Sequence, residues 1–246
     1  MSGHSKWATI KRKKGALDAK RSKIFSKIIK DITIAVRESG PDPEGNPKLR
    51  LAIANAKGAS MPKDNIMRAI NKGSEKGSES LIETTYEGYA PHGVAVFIEC
   101  TTDNQQRTIS NIRAIFNKNG GRLGTNGSLS HIFERKGIFS VPAGDLNQEE
   151  FEMSIIDAGA EDIVLEDGYF SITTAMEDFG PMMKKLEVMN ISPESAELER
   201  IPLTAVSLDK ETARKVLKMI EIFDDDDDVQ NVYHNLEMTD ELMDDM

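Results

Sequence analysis

Apolar residues recur at intervals of three and four through residues 24–36. There Ile24, Phe25, Ile28, Ile29, Ile32, Ala35 and Val36 line one side of a helix predicted over 19–39. Lys23, Lys27 and Lys30 fall mainly on the other side, and Gly40-Pro41 ends the run, since Gly tolerates a left-handed cap and Pro cannot continue the helix. Pro47 suits the first turn of a second helix, with Asn46 as its cap and Leu49, Ala52, Ile53 and Ala56 as its apolar face. A third helix opens at Pro62, carries Ile66, Ala69 and Ile70, and closes near Gly73. Residues 1–18 lack a sustained apolar period and read as a basic arm. The Gly/Ser-rich segment 73–80 marks a boundary.

Beyond it the pattern changes to mixed strands and helices. Val94, Val96 and Ile98 alternate along a strand at 93–101, and Asp103-Asn104 can cap a helix over 105–118. Gly120-Gly121 stops that helix, and GRLGTNGSLSHIF reads as a hairpin-like segment. From 137 onward a β-α-β-β-α-β order is legible: strand 137–141, helix 147–158, strands 162–166 and 169–174, helix 177–189, strand 195–200. An extended stretch at 201–207, a helix at 209–223 and a strand at 229–235 follow. The pieces on either side of this unit look like a second copy of it. The expected fold class is therefore α+β multidomain: an N-terminal three-helix domain (1–78), a discontinuous ferredoxin-like α/β domain (79–134 and 203–246), and a second ferredoxin-like α/β domain (135–202) inserted in it.

Charge divides at the same boundary. Residues 1–76 hold 18 Lys+Arg against 7 Asp+Glu, whereas residues 77–246 hold 13 against 34. The formal charge of −10 thus hides a cationic module, and such a module implies a polyanionic partner. The candidate contacts are Lys6, Lys11, Arg12, Lys13, Lys14, Lys20, Arg21, Lys23, Lys27 and Lys30, because Lys and Arg neutralise phosphates and release condensed counterions. Trp7, the one tryptophan, is a candidate stacking platform for a base; its alternative role is to pack on the helical domain and order the arm. The third helix begins PKDNIMR and offers Lys63, Asn65 and Arg68 if it reads base edges, or ordinary surface residues if it only packs. Weak base-reading potential favours reading of shape and phosphate, a mode commoner for RNA than for duplex DNA.

Other features have plainer readings. Asp103 and Asn104 fit an N-cap, and Arg107 pairs with Asp103 at the i,i+4 spacing, although a contact surface for RNA or protein is the alternative. The aspartate run 224–228 reads as a solvated stretch before an edge strand. An acidic body and tail would also confine nucleic acid to the basic face, so that neutralising 224–228 and removing 237–246 would raise affinity. Enzyme signatures are not found. His4, His92, His131 and His234 lack metal-ligand spacing, Gly40 and Gly45 are followed by Asn46-Pro47 rather than Lys-Ser/Thr, and Cys100 lies on an apolar strand face. No catalytic residue, metal site or cofactor is assigned, and no small-molecule substrate is expected. One cysteine excludes an internal disulfide and suits a reducing cytoplasm, and no segment has the length and apolarity of a membrane span or secretory leader.

Three long stretches carry a resemblance: GHSKWATIKRKKGALDAKRSKIFSKIIKDI, KGASMPKDNIMRAINKG and YEGYAPHGVAVFIECTTDNQQRTISNIRAIFNKNGG. Together they resemble the YebC/PmpR family, and the similarity extends over essentially the whole chain. The resemblance implies a cytoplasmic, non-enzymatic regulator of gene expression with one helical domain and two α/β domains, one inserted in the other. It also implies either of two partners: DNA, as in members described as transcriptional regulators, or ribosomal or transfer RNA on the ribosome. The second follows a mitochondrial translational activator of a cytochrome oxidase subunit and members tied to relief of stalling. A protein-interaction scaffold whose arm binds acidic proteins is the remaining class.

Overall fold

The structure is a computed structural model that describes residues 18–75, 81–239 and 241–242, with side chains from residue 21 onward. The basic arm up to residue 17 lies outside the described residues. Helices α1 (Asp18–Ser39), α2 (Pro47–Gly58) and α3 (Lys63–Ser74) bury one shared core. Ile32, Ala35 and Val36 of α1 meet Leu49, Ala52 and Ala56 of α2 and Ile66, Ala69 and Ile70 of α3. Asn46 is the hinge pin of this arrangement. Its Oδ1 accepts the Leu49 N–H (3.0 Å) as the α2 cap, while its Nδ2 donates to the carbonyls of Ala35 (2.7 Å) and Gly40 (2.8 Å). One buried amide thus satisfies both the end of α1 and the start of α2.

The remainder builds two four-stranded antiparallel sheets, giving the α+β multidomain class. The chain separates into two compact units, one of residues Lys20–Ser78 with Arg135–Arg200, the other of Glu79–Glu134 with Ile201–Met246. In the first unit, β4 (Phe133–Pro142), α5 (Gln148–Ile156), β5 (Ala160–Glu166), β6 (Tyr169–Ala175), α6 (Phe179–Val188) and β7 (Ser195–Pro202) follow the order read from sequence. Their sheet runs β5-β6-β4-β7, with Phe139, Val141, Phe170 and Ile172 facing Phe151, Ile155, Met182 and Leu186 of the helices. Helix α2 of the same unit docks on this module. Its Asn55 amide donates to the Ala196 carbonyl and accepts the Ala196 N–H, both at 3.0 Å, so a side chain imitates a neighbouring strand. A Cβ on Gly58 would collide with the Glu194 carbonyl, so the close approach of α2 requires glycine there.

In the second unit, the strands are β1 (Ile82–Tyr89), β2 (Ala95–Thr102), β3 (Arg122–Leu123) and β8 (Val229–His234), in the order β3-β1-β2-β8. Helices α4 (Gln105–Lys118) and α7 (Lys210–Asp225) cover one face, where Phe116 and Phe223 meet at 4.8 Å. A hairpin of consecutive strands occupies the centre of this sheet, whereas in the inserted sheet the central pair, β4 and β6, is joined through α5 and β5. Two readings change. β1 was not foreseen, because Tyr86, Glu87 and Gly88 are buried consecutively and give no alternation. The segment GRLGTNGSLSHIF does not fold on itself as a hairpin: Arg122 and Leu123 pair with β1, and the rest crosses the sheet face away from the helices. There Leu129 and Phe133 bury Ala95 and Phe97, with Phe97 and Phe133 edge to face at 6.2 Å.

Candidate nucleic-acid interface

The sequence candidates fall into three groups. Lys6, Trp7, Lys11, Arg12, Lys13 and Lys14 lie outside the described residues. Lys20, Arg21, Lys23, Lys27 and Lys30 lie along the first half of α1; the backbone alone is described at Lys20. Lys23, Lys27 and Lys30 follow i, i+4, i+7 spacing, so they share a side of the helix, and all three are half-buried and engaged by neighbours. Arg21 is exposed and holds its guanidinium 5.6 Å from the Phe25 ring centroid. Lys63 and Arg68 belong to α3, a different helix.

Helix α3 makes a poor base reader. Arg68 folds back on its own helix, with Nε donating to the Asp64 carbonyl (3.3 Å) and Nη2 to the Asn65 side-chain oxygen. The two residues best suited to base edges are therefore spent on each other. Lys63 stays exposed in the first turn.

The start of α4 is structural, as its cap spacing predicts. Asn104 accepts the Arg107 N–H at 3.1 Å, and Arg107 Nη2 donates to Asp103 at 2.7 Å. The same guanidinium also grips Asp228, through Nη2 at 2.8 Å and Nε at 3.3 Å, and Thr108 Oγ1 donates to that carboxylate at 2.9 Å. Asp228 first, and Asp103 second, raise the Arg107 pKa above its ordinary value. This corrects the reading of 224–228 as a solvated run, because Asp228 is 6% exposed and anchors β8 to α4. Asp226 is drawn in as well, capping the Asp228 N–H at 2.9 Å and accepting from Asn111 at 3.3 Å. Nor is the acidic tail a detachable charge. Met238 and Leu242 are buried in the core of the second unit, and Glu241 pairs with Lys210 at 3.0 Å, so removing 237–246 would remove packing as well as charge.

A second feature was invisible in the sequence. Glu87 on β1 is 5% exposed and accepts backbone N–H bonds from Gly127 (2.7 Å) and Leu129 (2.6 Å), with Ser128 Oγ at 3.4 Å. It fixes the loop that crosses the sheet. A buried carboxylate is costly unless its oxygens are satisfied, and here backbone donors satisfy them. Beside the loop, the Arg122 guanidinium lies 5.3 Å from the Tyr89 ring centroid. Among the described residues no group of three His, Cys, Asp or Glu is placed to hold a metal ion, and no helix is long and apolar enough to cross a membrane.

A helical segment and two four-stranded α+β modules, one interrupting the other in sequence, define a multidomain α+β protein. The chain belongs to the TACO1/YebC family: residues 5–76 match the family's N-terminal domain and residues 81–236 its second and third domain. A relative from Amoebophilus asiaticus described as a "Probable transcriptional regulatory protein" is 54% identical, over 96% of this chain and 98% of its own length. Another of that description, from Rubrobacter xylanophilus, is 50% identical over 99% and 98%. The crystal structure of a conserved hypothetical protein from Aquifex aeolicus matches with a TM-score of 0.80 and 44% identity, over 91% of this chain and 93% of that one.

Proposed function

We propose that this protein is a non-enzymatic, nucleic-acid-binding regulator of gene expression, acting on DNA in transcription from the cytoplasm. The observation that carries the reading is the net charge of +11 in residues 1–76, set against an acidic remainder. Phosphate contact by Lys6, Lys11, Arg12, Lys13, Lys14, Lys20, Arg21, Lys23, Lys27 and Lys30 supplies the affinity, with Lys63 and Arg68 as peripheral contacts and Trp7 as a stacking residue. The descriptions of the relatives from Amoebophilus and Rubrobacter support the transcriptional assignment. In this scheme residues 1–78 form the binding domain, 79–134 with 203–246 the discontinuous domain, and 135–202 the inserted one.

A specific observation favours a second reading, an RNA-binding translation factor on the ribosome. Arg68 and Asn65 are turned toward each other rather than outward, which leaves α3 without a base-reading pair. A protein that reads phosphate and shape suits folded RNA better than a DNA sequence element. Crosslinking in cells followed by sequencing of both bound DNA and bound RNA decides between them. Enrichment of promoter DNA supports the transcriptional reading. Recovery of mainly ribosomal or transfer RNA replaces it with the translational one. Recovery of neither leaves the protein-scaffold class and defeats both.

A further inference from the structure

Helix α5 departs from the pattern of the other surface helices. Its Phe151 and Ile155 are buried in the core beneath the inserted sheet's helices, as an amphipathic helix requires. Its opposite side is apolar as well. Glu149, Met153 and Ile156 follow i, i+4, i+7 spacing and point away from that core, with Met153 67% and Ile156 57% exposed. At outward positions α4 carries Gln106, Ser110, Arg113 and Asn117 instead. The surroundings of the apolar pair are acidic. Residues 137–183 contain eleven Asp+Glu and no Lys or Arg. Glu150 and Asp157 are exposed, and Glu152 is half-buried, accepting from the Gln148 amide at 2.8 Å. None of Glu149, Glu150, Glu152 and Asp157 makes an ion pair among the described residues; Lys136, at the border of the stretch, is held by Glu161 at 2.9 Å. Part of this acidity has a local reason. Charge on β5 protects an open sheet edge, and Glu149 and Glu150 suit the first turn of a helix. Met153 and Ile156 gain nothing from facing water, and their acidic ring repels any polyanion.

The arm has the complementary pattern. Residues 1–17 hold Lys6, Lys11, Arg12, Lys13 and Lys14 and no Asp or Glu, and Trp7 and Ile10 stand between the cations. The arm runs into α1, and α1 from Lys20 onward belongs to the same compact unit as α5. Ten residues separate Trp7 from Asp18, and a fully extended chain of that length spans about 35 Å. A unit of this size has a radius of gyration of about 14 Å, so reach does not prevent the encounter. We propose that the arm docks on α5 when no nucleic acid is bound, with Trp7 and Ile10 on Met153 and Ile156 and the cations among the surrounding carboxylates. The contact is autoinhibitory, because nucleic acid must displace carboxylates to reach the same cations. It need not be strong. At an effective concentration of about 1 mM, a contact of about 0.5 mM affinity keeps a tethered arm docked about two-thirds of the time. The competition rests on the reading that the arm binds nucleic acid; the docking does not.

Trp7 is the chain's one tryptophan, so its fluorescence reports on the arm alone. In the full chain at low salt, without nucleic acid, its emission should lie to the blue of a free peptide of residues 1–17, and acrylamide should quench it less. Met153→Ser combined with Ile156→Ser should return both readings to those of the peptide. Both positions are exposed, so thermal melting should match the wild type. Neutralising Glu149, Glu150 and Asp157 to their amides, with the apolar pair intact, should release Trp7 as well. Releasing an arm docked two-thirds of the time should raise affinity for a duplex DNA oligonucleotide about three-fold in the serine variant, which changes no charge. Peptide-like emission in the wild type, or blue-shifted emission that the serine and amide variants leave alone, overturns docking on α5. A blue shift that vanishes on dilution assigns the docked arm to a second copy and overturns autoinhibition within one chain. Release of Trp7 by the serine pair, without any wild-type binding to DNA or RNA at low salt, keeps the docking and overturns the reading that the arm binds nucleic acid.

Discussion

Helices α1 and α4 both carry several cations, and they hold them differently. On α1, Lys23, Lys27 and Lys30 are interleaved with Phe25, Ile28 and Ile29, half-buried and already engaged. On α4, the one engaged cation is Arg107 at the first turn, while Arg113 and Lys118 stand clear. Linear charge density would rank α1 far ahead. Availability to a partner ranks them closer together, because a lysine whose stem covers apolar surface and whose ammonium has a neighbour gives up those contacts when it turns to a phosphate.

The largest expected effect tests the extreme of that comparison. Replacing Lys11, Arg12, Lys13 and Lys14 together by Gln should lower affinity for nucleic acid about a hundred-fold near about 150 mM salt and flatten the duplex salt slope by about 0.9 per lost contact. An unaltered slope in electrophoretic titration would remove the arm as the phosphate-binding element. Next in size, Glu87→Ala removes the acceptor of two buried N–H groups and should cost about 1–3 kcal/mol in chemical denaturation. Because it deletes no cation, any accompanying loss of RNA affinity would be assigned to loop geometry rather than to charge. Asp228→Ala should lower Tm by about 5 °C by stripping β8 and Thr108 of their anchor. It also frees Arg107 from one of its two carboxylates, Asp103 remaining, so affinity at low salt should rise by up to about two-fold even as stability falls. A parallel fall in both would contradict the idea that engagement sets availability. The smallest effect belongs to Arg68→Gln, which should change binding by less than about two-fold, since that guanidinium is satisfied within α3. A ten-fold loss on filter binding would restore α3 as a reading helix.

Much of the fold was legible because local chemistry and tertiary packing agree. α1 kept its apolar stripe, α2 its Pro47–Asn46 start and α4 its Asn104 cap, and the inserted β-α-β-β-α-β order emerged intact. What escaped were features defined by long-range partners. β1 hides its strand character behind a buried Glu87 and a Gly88 that accommodates the Phe116 ring. Asp228 looks like its four neighbours until Arg107, 121 positions earlier in the chain, is brought against it. The proposed interface was legible only as charge. Sequence ranks cations by crowding, whereas Arg68 is withdrawn from the ranking by Asp64 and Asn65 one turn earlier on its own helix, and Lys30 is engaged as well.

The amide of Asn55 has a bearing on solubility. β7 ends its sheet, and an unpaired terminal strand invites an extended segment of another molecule to add on. At Ala196 the donor and the acceptor are both already taken by Asn55, and Gly58 lets α2 lie against the chain at Glu194. A helix from elsewhere in the sequence therefore stands where an intruding strand would begin to zip. Asn55→Ala leaves the fold's core intact and opens that seam, so the variant's cost should be read in turbidity on prolonged storage.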